Sequence, residues 1–279
     1  MASRDYEAIN KANWDERAPQ HAKSEDYGFK RFITEPDMLS NVVTFDIPLL
    51  GDITGLEAVH LQCHIGTDTL SLARRGAKSV IGLDFSSASL KEARNLAAQA
   101  SGGDKLRFVE GSVYDAFKLL DPGSFDLVYT GIGALCWLPS IKQWAETVAS
   151  LLKPGGQLFI REGHPVLWSI DEKADDLVIR YPYFERNAFT SFDDEGTYVK
   201  LQDEYKFVHT ETVEWNHGIG EIVQALLDAG MRITGLKEHE SVPWEPLPGK
   251  MVEVELGEYA LAEGREILPL TYTLQAVKM

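Results

Sequence analysis

Hydrophobic residues between positions 56 and 163 fall into short apolar runs separated by helix-like stretches. The runs occupy residues 58–61, 79–83, 106–109, 125–129 and 157–160. Runs of this length predict strands buried on both faces, and the stretches between them predict helical crossovers. The pattern therefore predicts an α/β fold with a doubly wound, mostly parallel sheet.

The remainder of the chain divides into three further regions. Residues 1–55 have a helical pattern and predict a lid beside the core at 56–163. Residues 164–216 are rich in aromatic side chains and in β-like alternation, which predicts an insertion over the carboxyl edge of the sheet. Residues 217–279 predict a helix at 219–227 that ends at Gly230, and strands at 231–236 and 270–277. These strands complete a seven-stranded sheet with an antiparallel edge.

The composition is typical of one large domain that is stable without disulfide bonds. The chain has 279 residues, of which 44% are hydrophobic and 10% aromatic, enough to bury a sizeable core. Its two cysteines, Cys63 and Cys136, do not form a disulfide framework. The first residues contain no apolar signal segment, and no later stretch approaches the length of a membrane span. We therefore expect a cytoplasmic protein without a membrane partner.

The charge of the chain bears on its partners. The formal net charge is −16, from 43 acidic and 27 basic residues spread along the sequence. Such a surface repels a phosphate backbone, because counterion release cannot drive binding without a basic patch. The composition therefore predicts a small-molecule partner and no nucleic acid.

Polar residues follow the predicted strands at the edge where ligands of open α/β sheets bind. The loop at 60–68 follows the first strand, and Asp84 follows the second at a spacing that suits a carboxylate accepting from ribose hydroxyls. Asp68 lies in the first turn of the next helix, and no lysine or arginine occurs between Val59 and Leu72. A dinucleotide phosphate would meet a carboxylate and no cation there. S-adenosylmethionine carries a sulfonium and an ammonium group and no phosphate, so the loop favours it.

Two blocks of sequence resemble a known family. Residues 125–129, Phe-Asp-Leu-Val-Tyr, are followed at 151–160 by Leu-Leu-Lys-Pro-Gly-Gly-Gln-Leu-Phe-Ile. Together with residues 76–84, they resemble class I S-adenosylmethionine-dependent methyltransferases, a likeness that covers residues 56–163. Residues 14–18 and 215–230 are similar to the flanks of small-molecule members. The resemblance implies the Rossmann-like fold, S-adenosylmethionine as cofactor and in-line transfer of a methyl group to a small-molecule acceptor.

The resemblance implies cofactor contacts in four loops. The candidates are His60, Gln62, Cys63, His64, Gly66, Asp68, Asp84, Phe85, Ser86, Gly111, Ser112, Val113, Thr130, Gly131 and Ile132. The first loop departs from the family pattern, since only Gly66 of three glycines is present and His60 replaces an acid. The sequence leaves two interpretations open. Gln62 and His64 hold the methionine part of the cofactor, or His64 only adopts a left-handed turn and His60 only ends a strand.

The acceptor side offers fewer signals. Residues 130–133, Thr-Gly-Ile-Gly, differ from the Asn-Pro-Pro-Tyr type of nucleic-acid methyltransferases, and no aspartate follows the strand directly, so we predict no magnesium. His164 follows the fifth strand and is the candidate base or acceptor contact, although the sequence favours a structural cap on the strand end, the commoner role of a lone histidine. The predicted acceptor pocket and lid residues are Trp14, His21, Tyr27, Trp137 and Trp168.

Several alternatives remain at this point. His60, Cys63 and His64 are metal-ligand types, but they lack a fourth ligand at a recognised spacing, so no metal is predicted. A nicotinamide oxidoreductase and a catalytically silent binding module are the competing functions. The acceptor atom and the choice between monomer and homodimer stay open.

Overall fold

The computed structural model describes residues 5–184 and 189–279, so residues 1–4 of the predicted lid and 185–188 of the predicted insertion lie outside it. A seven-stranded mixed sheet forms the centre, as the apolar runs predict. Its strands are β1 (Glu57–Leu61), β2 (Ser79–Asp84), β3 (Leu106–Glu110), β4 (Phe125–Thr130), β5 (Leu152–Gly163), β8 (Met231–His239) and β12 (Thr271–Lys278).

Helices cover both faces of this sheet. They are α1 (Tyr6–Lys23), α2 (Phe29–Thr34), α3 (Asn41–Leu50), α4 (Thr67–Arg74), α5 (Ser87–Gln99), α6 (Ala116–Leu119), α7 (Ile141–Leu151) and α8 (Ile219–Asp228). One core lies under α7 and α8 around Trp144 and Leu226, and another lies under α3 and α4 around Val43 and Leu72. Apolar residues on both faces explain why the strands read as continuous apolar runs.

The strand order β3-β2-β1-β4-β5-β12-β8 reverses direction at β1. Leu61 pairs in parallel with Leu83 of β2 on one side and with Thr130 of β4 on the other. Ligands of open α/β sheets bind at this kind of switch point, beyond the carboxyl ends of the strands. The topology therefore brings the loops after β1, β2 and β4 together.

Two features of the sheets differ from the sequence prediction. The antiparallel strand β12 lies between β5 and β8, so it is next to the edge rather than at it. A separate three-stranded sheet of β9 (Ser241–Val242), β10 (Met251–Glu253) and β11 (Tyr259–Leu261) lies in a region for which no element was predicted. These strands have two or three residues each, too short to show a period of their own.

In the described part of the predicted insertion, β6 (Thr190–Asp193) and β7 (Glu211–Glu214) pair as a short two-stranded antiparallel sheet. The alternation predicted from residue 205 forms a strand only from Glu211 onward. Among the described residues, no helix combines the length and apolarity needed to cross a membrane.

Candidate active site

The loop after β1 makes left-handed turns at residues that are not glycine. Gln62 and His64 have φ angles of 55° and 48°, and Gly66 before α4 has 80°. Such a conformation costs about 1–2 kcal/mol for a residue with a Cβ atom. Gln62 offsets part of this cost, because its Nε2 donates to the carbonyl of Ala134 at 2.9 Å. The loop thus keeps the tight path that usually requires glycine and adds two polar side chains to it.

Asp84 ends β2 and joins two loops through its buried carboxylate. One oxygen accepts the backbone N–H of His64 at 2.8 Å, and the other accepts that of Ser86 at 2.8 Å. Burial raises the pKa of Asp84 to about 6, although these two N–H groups oppose the shift. Each carboxylate oxygen has a second lone pair. Asp84 can therefore still accept hydrogen bonds from ligand hydroxyls.

His64 links this loop to α1 and to the insertion. Its Nε2 lies 2.9 Å from Nδ1 of His21, and its Nδ1 lies 3.2 Å from Oγ of Ser89. Nε2 of His21 in turn lies 2.7 Å from Oγ1 of Thr197. Burial lowers the pKa of His64 to about 3 and lowers that of His21 well below its usual value. Both rings are therefore neutral at pH 7, and one proton on each completes the chain of bonds.

Aromatic rings surround the two histidines. Trp14 packs edge-on against His64 and Trp137, at centroid distances of 5.0 and 5.3 Å. Tyr27 stacks on His21 at 5.6 Å, and its hydroxyl bonds to that of Tyr198. We call these residues the lid cluster, which comprises Trp14, His21, Tyr27, His64, Trp137 and Tyr198. Four of the five predicted acceptor and lid residues belong to it.

Side chains of α1 bind the backbone of the insertion. Oδ1 of Asn10 accepts the N–H of Val213 at 2.8 Å, and its Nδ2 donates to the carbonyl of the same residue at 2.8 Å. The guanidinium of Arg17 donates to the carbonyls of Asp194, Gly196 and His209. The helix and the insertion thus form one cover over the switch point. The carboxylate of Asp15, which lies on α1 between Asn10 and Arg17, accepts hydrogen bonds from the hydroxyl of Ser86 and the N–H of Ala88 at the start of α5.

Glu162 of β5 holds the loop after β4. Its buried carboxylate accepts the N–H groups of Gly133, Ala134, Leu135 and Gly163 at 2.6 to 2.9 Å. Burial raises its pKa, whereas the four bonds oppose that shift. Glu162 is not among the candidates predicted from the sequence, although an acid inside a buried apolar strand is a signal for such a role.

Gly131 lies between two polar side chains from β1 and α4. A methyl group in place of its hydrogen would lie 3.4 Å from Nε2 of His60 and 3.6 Å from Oδ2 of Asp68. Nδ1 of His60 is bonded to Oγ1 of Thr69 at 2.9 Å, and burial lowers the pKa of His60 to about 3. Burial raises the pKa of Asp68. The two polar atoms therefore border the same small space.

The other predicted cofactor residues have contacts within the protein, mostly through backbone groups and packing, and their role in binding the cofactor stays a prediction. The thiol of Cys63 packs beside Gly82, and burial raises its pKa well above the usual value. The carbonyl of Phe85 accepts from Lys11 at 2.6 Å, and the N–H of Gly111 bonds to the carbonyl of Asp84. Ser112 and Val113 begin a short 3-10 turn after β3. Ile132 packs against an apolar cluster under the three-stranded sheet.

His164 and Trp168 lie apart from the lid cluster. Nδ1 of His164 accepts the N–H of Val166 at 3.2 Å, and its Nε2 lies 3.0 Å from a carboxylate oxygen of Glu238. Both ring nitrogens are thus engaged, which favours the structural interpretation, and the catalytic role stays a prediction. Trp168 stacks on Trp244 at a centroid distance of 5.8 Å, over Gly163.

The donor and acceptor groups of the site fit S-adenosylmethionine. Among the described residues, Oε1 of Gln62 and Oγ1 of Thr130 are buried without a hydrogen-bond partner, at the ends of the adjacent strands β1 and β4. With Asp84 they offer acceptors for the hydroxyl and ammonium groups of such a ligand. Nowhere in the described chain do three or more His, Cys, Asp or Glu side chains group to hold a metal ion.

Comparisons with known proteins agree with this geometry. Residues 58–156 match the family model described as a methyltransferase domain. Methyltransferase phqN of Penicillium fellutanum is 25% identical over 191 residues, which are 68% of this chain and 52% of that protein. The mitochondrial ubiquinone biosynthesis O-methyltransferase of Dictyostelium discoideum is 27% identical over 122 residues, 40% of this chain and 37% of that one.

The chain thus spans about half or less of the length of these curated relatives. Among solved structures, an S-adenosylmethionine-dependent methyltransferase from Mesorhizobium loti superposes with a TM-score of 0.55 at 20% identity, covering 83% of this chain and 94% of that one. This likeness confirms the predicted fold. Residues 58–156 of this chain therefore form a methyltransferase domain, and the resemblance predicted for residues 56–163 is confirmed over that range.

Proposed function

We propose that this protein transfers a methyl group from S-adenosylmethionine to a small-molecule acceptor by in-line displacement. The observation that carries the proposal is Asp84, a buried carboxylate at the switch point with acceptor capacity left for ligand hydroxyls. It lies within the matched methyltransferase domain, beside a first loop without any lysine or arginine.

The bound cofactor supplies a methyl group activated by its positively charged sulfur. The residues of this chain have the tasks of binding, orientation and exclusion of water. Asp84 accepts from the hydroxyls, and Glu162 holds the loop after β4 on which the acceptor rests. The lid cluster closes the edge of the sheet, because α1 and the insertion are tied together by Asn10 and Arg17.

Charge and covering elements support a small acceptor. The net charge of −16 disfavours a polyanionic substrate. The lid cluster and the insertion cover the place where a large substrate would have to approach. One relative is named for O-methylation in ubiquinone biosynthesis, which is consistent with a small acceptor here.

Two measurements test the proposal. Calorimetric titration with S-adenosylhomocysteine should show binding to the wild-type protein and a loss of about 10- to 100-fold in affinity for Asp84→Asn, since a hydrogen bond to a charged group is removed. Transfer of labelled methyl to a panel of phenols, amines, acids and thiols should then identify the acceptor class. Binding of NADH without S-adenosylhomocysteine would indicate an oxidoreductase, and binding without transfer to any acceptor would indicate a silent binding module.

A further inference from the structure

The three-stranded sheet of β9, β10 and β11 is fixed to β5 by a buried ion pair. The guanidinium of Arg161 in β5 donates to the two carboxylate oxygens of Glu258 at 3.0 and 2.6 Å, and both side chains are almost fully buried. The hydroxyl of Ser241 in β9 donates to the same carboxylate, and that of Thr271 donates to the carbonyl of Ser241, both at 2.8 Å. A bidentate pair adds geometric specificity, so the small sheet has a defined position relative to β5.

Apolar residues of the small sheet pack against the segments that follow β4 and β5. Ile132, two residues after β4, and Leu167 and Ile170, after β5, share one apolar cluster with Val242 of β9 and Met251 of β10. The small sheet therefore lies at the carboxyl edge of the central sheet, where ligands of open α/β folds bind.

Two tryptophans form an aromatic surface at this edge. Trp168 lies directly on the end of β5, because a methyl group on Gly163 would come within 2.4 Å of its ring. Trp244, two residues after β9, stacks on Trp168 with 5.8 Å between the ring centroids and 18° between the planes. Near-parallel rings at this separation are offset, and both tryptophans are only half-buried, so part of each ring face remains open.

Gly133 lies between this surface and the lid cluster and has open space beside it. Among the described residues, no atom beyond its chain neighbours lies within 4 Å of the position that a methyl group on Gly133 would take. Its neighbour Ile132 packs against the same apolar cluster as Trp244, and its carbonyl accepts from the indole N–H of Trp137 in the lid cluster at 2.7 Å. The loop after β4 thus connects the two aromatic groups.

We propose that Trp168 and Trp244 bind a flat aromatic ring of the methyl acceptor, which reaches over Gly133 toward the cofactor. A planar ring covers the open ring faces by stacking, whereas a puckered aliphatic ring contacts them over less of its surface. The inference rests on the proposed function and narrows the small-molecule acceptor to an aromatic one.

Three variants alter the tryptophan pair in different ways. Trp244→Leu removes one ring and keeps an apolar side chain, Trp244→Phe keeps a smaller ring, and Trp168→Phe keeps an aromatic side chain over Gly163. Trp215→Leu is the matched control, because Trp215 is also half-buried but packs edge-on against Tyr6. Circular dichroism and thermal melting establish that each variant folds, and the two phenylalanine variants carry the test if Trp244→Leu does not.

Calorimetry and saturation-transfer NMR on the protein loaded with S-adenosylhomocysteine compare 2-naphthol with decahydro-2-naphthol, which has the same carbon skeleton without planar rings. We expect wild type and Trp215→Leu to bind 2-naphthol about 10-fold more tightly than the saturated alcohol. This preference should disappear in Trp244→Leu and fall to about 3-fold in Trp244→Phe and Trp168→Phe. Affinity for S-adenosylhomocysteine should be the same in all five proteins.

Three results would overturn the inference: no binding of 2-naphthol to the loaded wild-type protein, equal affinity for the two probes, or a full preference in the folded variants of Trp168 and Trp244. Each of them leaves the proposed function standing, because wild-type binding of S-adenosylhomocysteine is then still observed. Failure of the wild-type protein itself to bind S-adenosylhomocysteine would instead contradict the proposed function.

Discussion

The protonation state of Asp84 changes in the mildly acidic pH range, because burial and hydrogen bonding shift its pKa in opposite directions. Burial raises its pKa to about 6, while the N–H groups of His64 and Ser86 favour the carboxylate. Ligand hydroxyls need the carboxylate form as acceptor. Affinity for S-adenosylhomocysteine should therefore fall by about 10-fold as the pH is lowered from 7.5 to 5, since protonation through a pKa near 6 competes with binding. Calorimetry across this range measures the change.

Two variants separate this effect from a general loss of structure. Asp84→Asn should bind weakly with little dependence on pH, because the titrating group is gone. Asp126→Asn, which alters a partly exposed carboxyl bonded to Lys153, should keep the wild-type profile. An unchanged pH profile in Asp84→Asn would show that another group titrates.

His164 is a second residue whose bonds predict a measurable outcome. Its replacement by alanine leaves the N–H of Val166 without its bond and removes the contact with the largely exposed Glu238. We expect a loss of about 1 kcal/mol in the free energy of unfolding and unchanged affinity for S-adenosylhomocysteine. Once the acceptor is known, kcat of His164→Ala decides the catalytic prediction: a value near wild type removes it, and a fall beyond about 100-fold supports it.

At the scale of elements, a side chain of α1 forms the pair of backbone hydrogen bonds that a further strand would form with β7. Asn10 pairs with both backbone groups of Val213 and is itself buried. In Asn10→Ala these groups lose their partners, which costs about 1–3 kcal/mol in the docking of β7. Hydrogen exchange of Glu211–Glu214 should then become faster, while that of β1 stays the same. Asn95→Ala, on the exposed face of α5, is the control.

Helices and strands with a clear pattern of apolar residues were predictable from the sequence. Segments whose position depends on hydrogen bonds from distant side chains were not. The five apolar runs correspond to β1 to β5, and the predicted helix at 219–227 is Ile219–Asp228, because burial on two faces or one stripe leaves a clear pattern. The insertion depends on bonds from Asn10 and Arg17, about 200 residues earlier in the chain. No local pattern predicts a pairing of that kind.

At the scale of the whole molecule, some residues of the candidate site were predictable from the sequence, and others depend on contacts between regions distant in sequence. Strand order alone places the loops after β1, β2 and β4 together, so Asp84 and the first loop were accessible to sequence reasoning. The hydrogen-bonded chain from His64 was not, since His21 lies 43 residues before it in sequence and Thr197, which bonds to His21, lies 133 residues after it. Glu162 carried a signal, a buried acid in an apolar strand, but its target in the loop after β4 depends on tertiary packing.

Three histidines, of which His21 and His60 are buried and His64 is half-buried, connect the stability of the whole molecule to pH. Burial lowers the pKa of His60 and His64 to about 3 and lowers that of His21 well below 6.5. The unfolded chain, with pKa values near 6.5, binds protons first, so the stability they contribute is complete above that pH and declines as the pH falls. Each histidine should cost about 2 kcal/mol between pH 7.5 and pH 5.

A comparison of variants isolates this contribution, because Asp46 and Asp84, with pKa values raised to about 7 and about 6, act in the opposite direction. Wild type, His21→Gln and His209→Gln are unfolded with urea at both pH values. We expect the free energy of unfolding of His21→Gln to fall by about 2 kcal/mol less than that of wild type, because one proton-binding site of the unfolded state is gone. The exposed His209→Gln control should follow wild type, and equal losses in all three proteins would show that His21 is not held neutral by burial in the lid cluster.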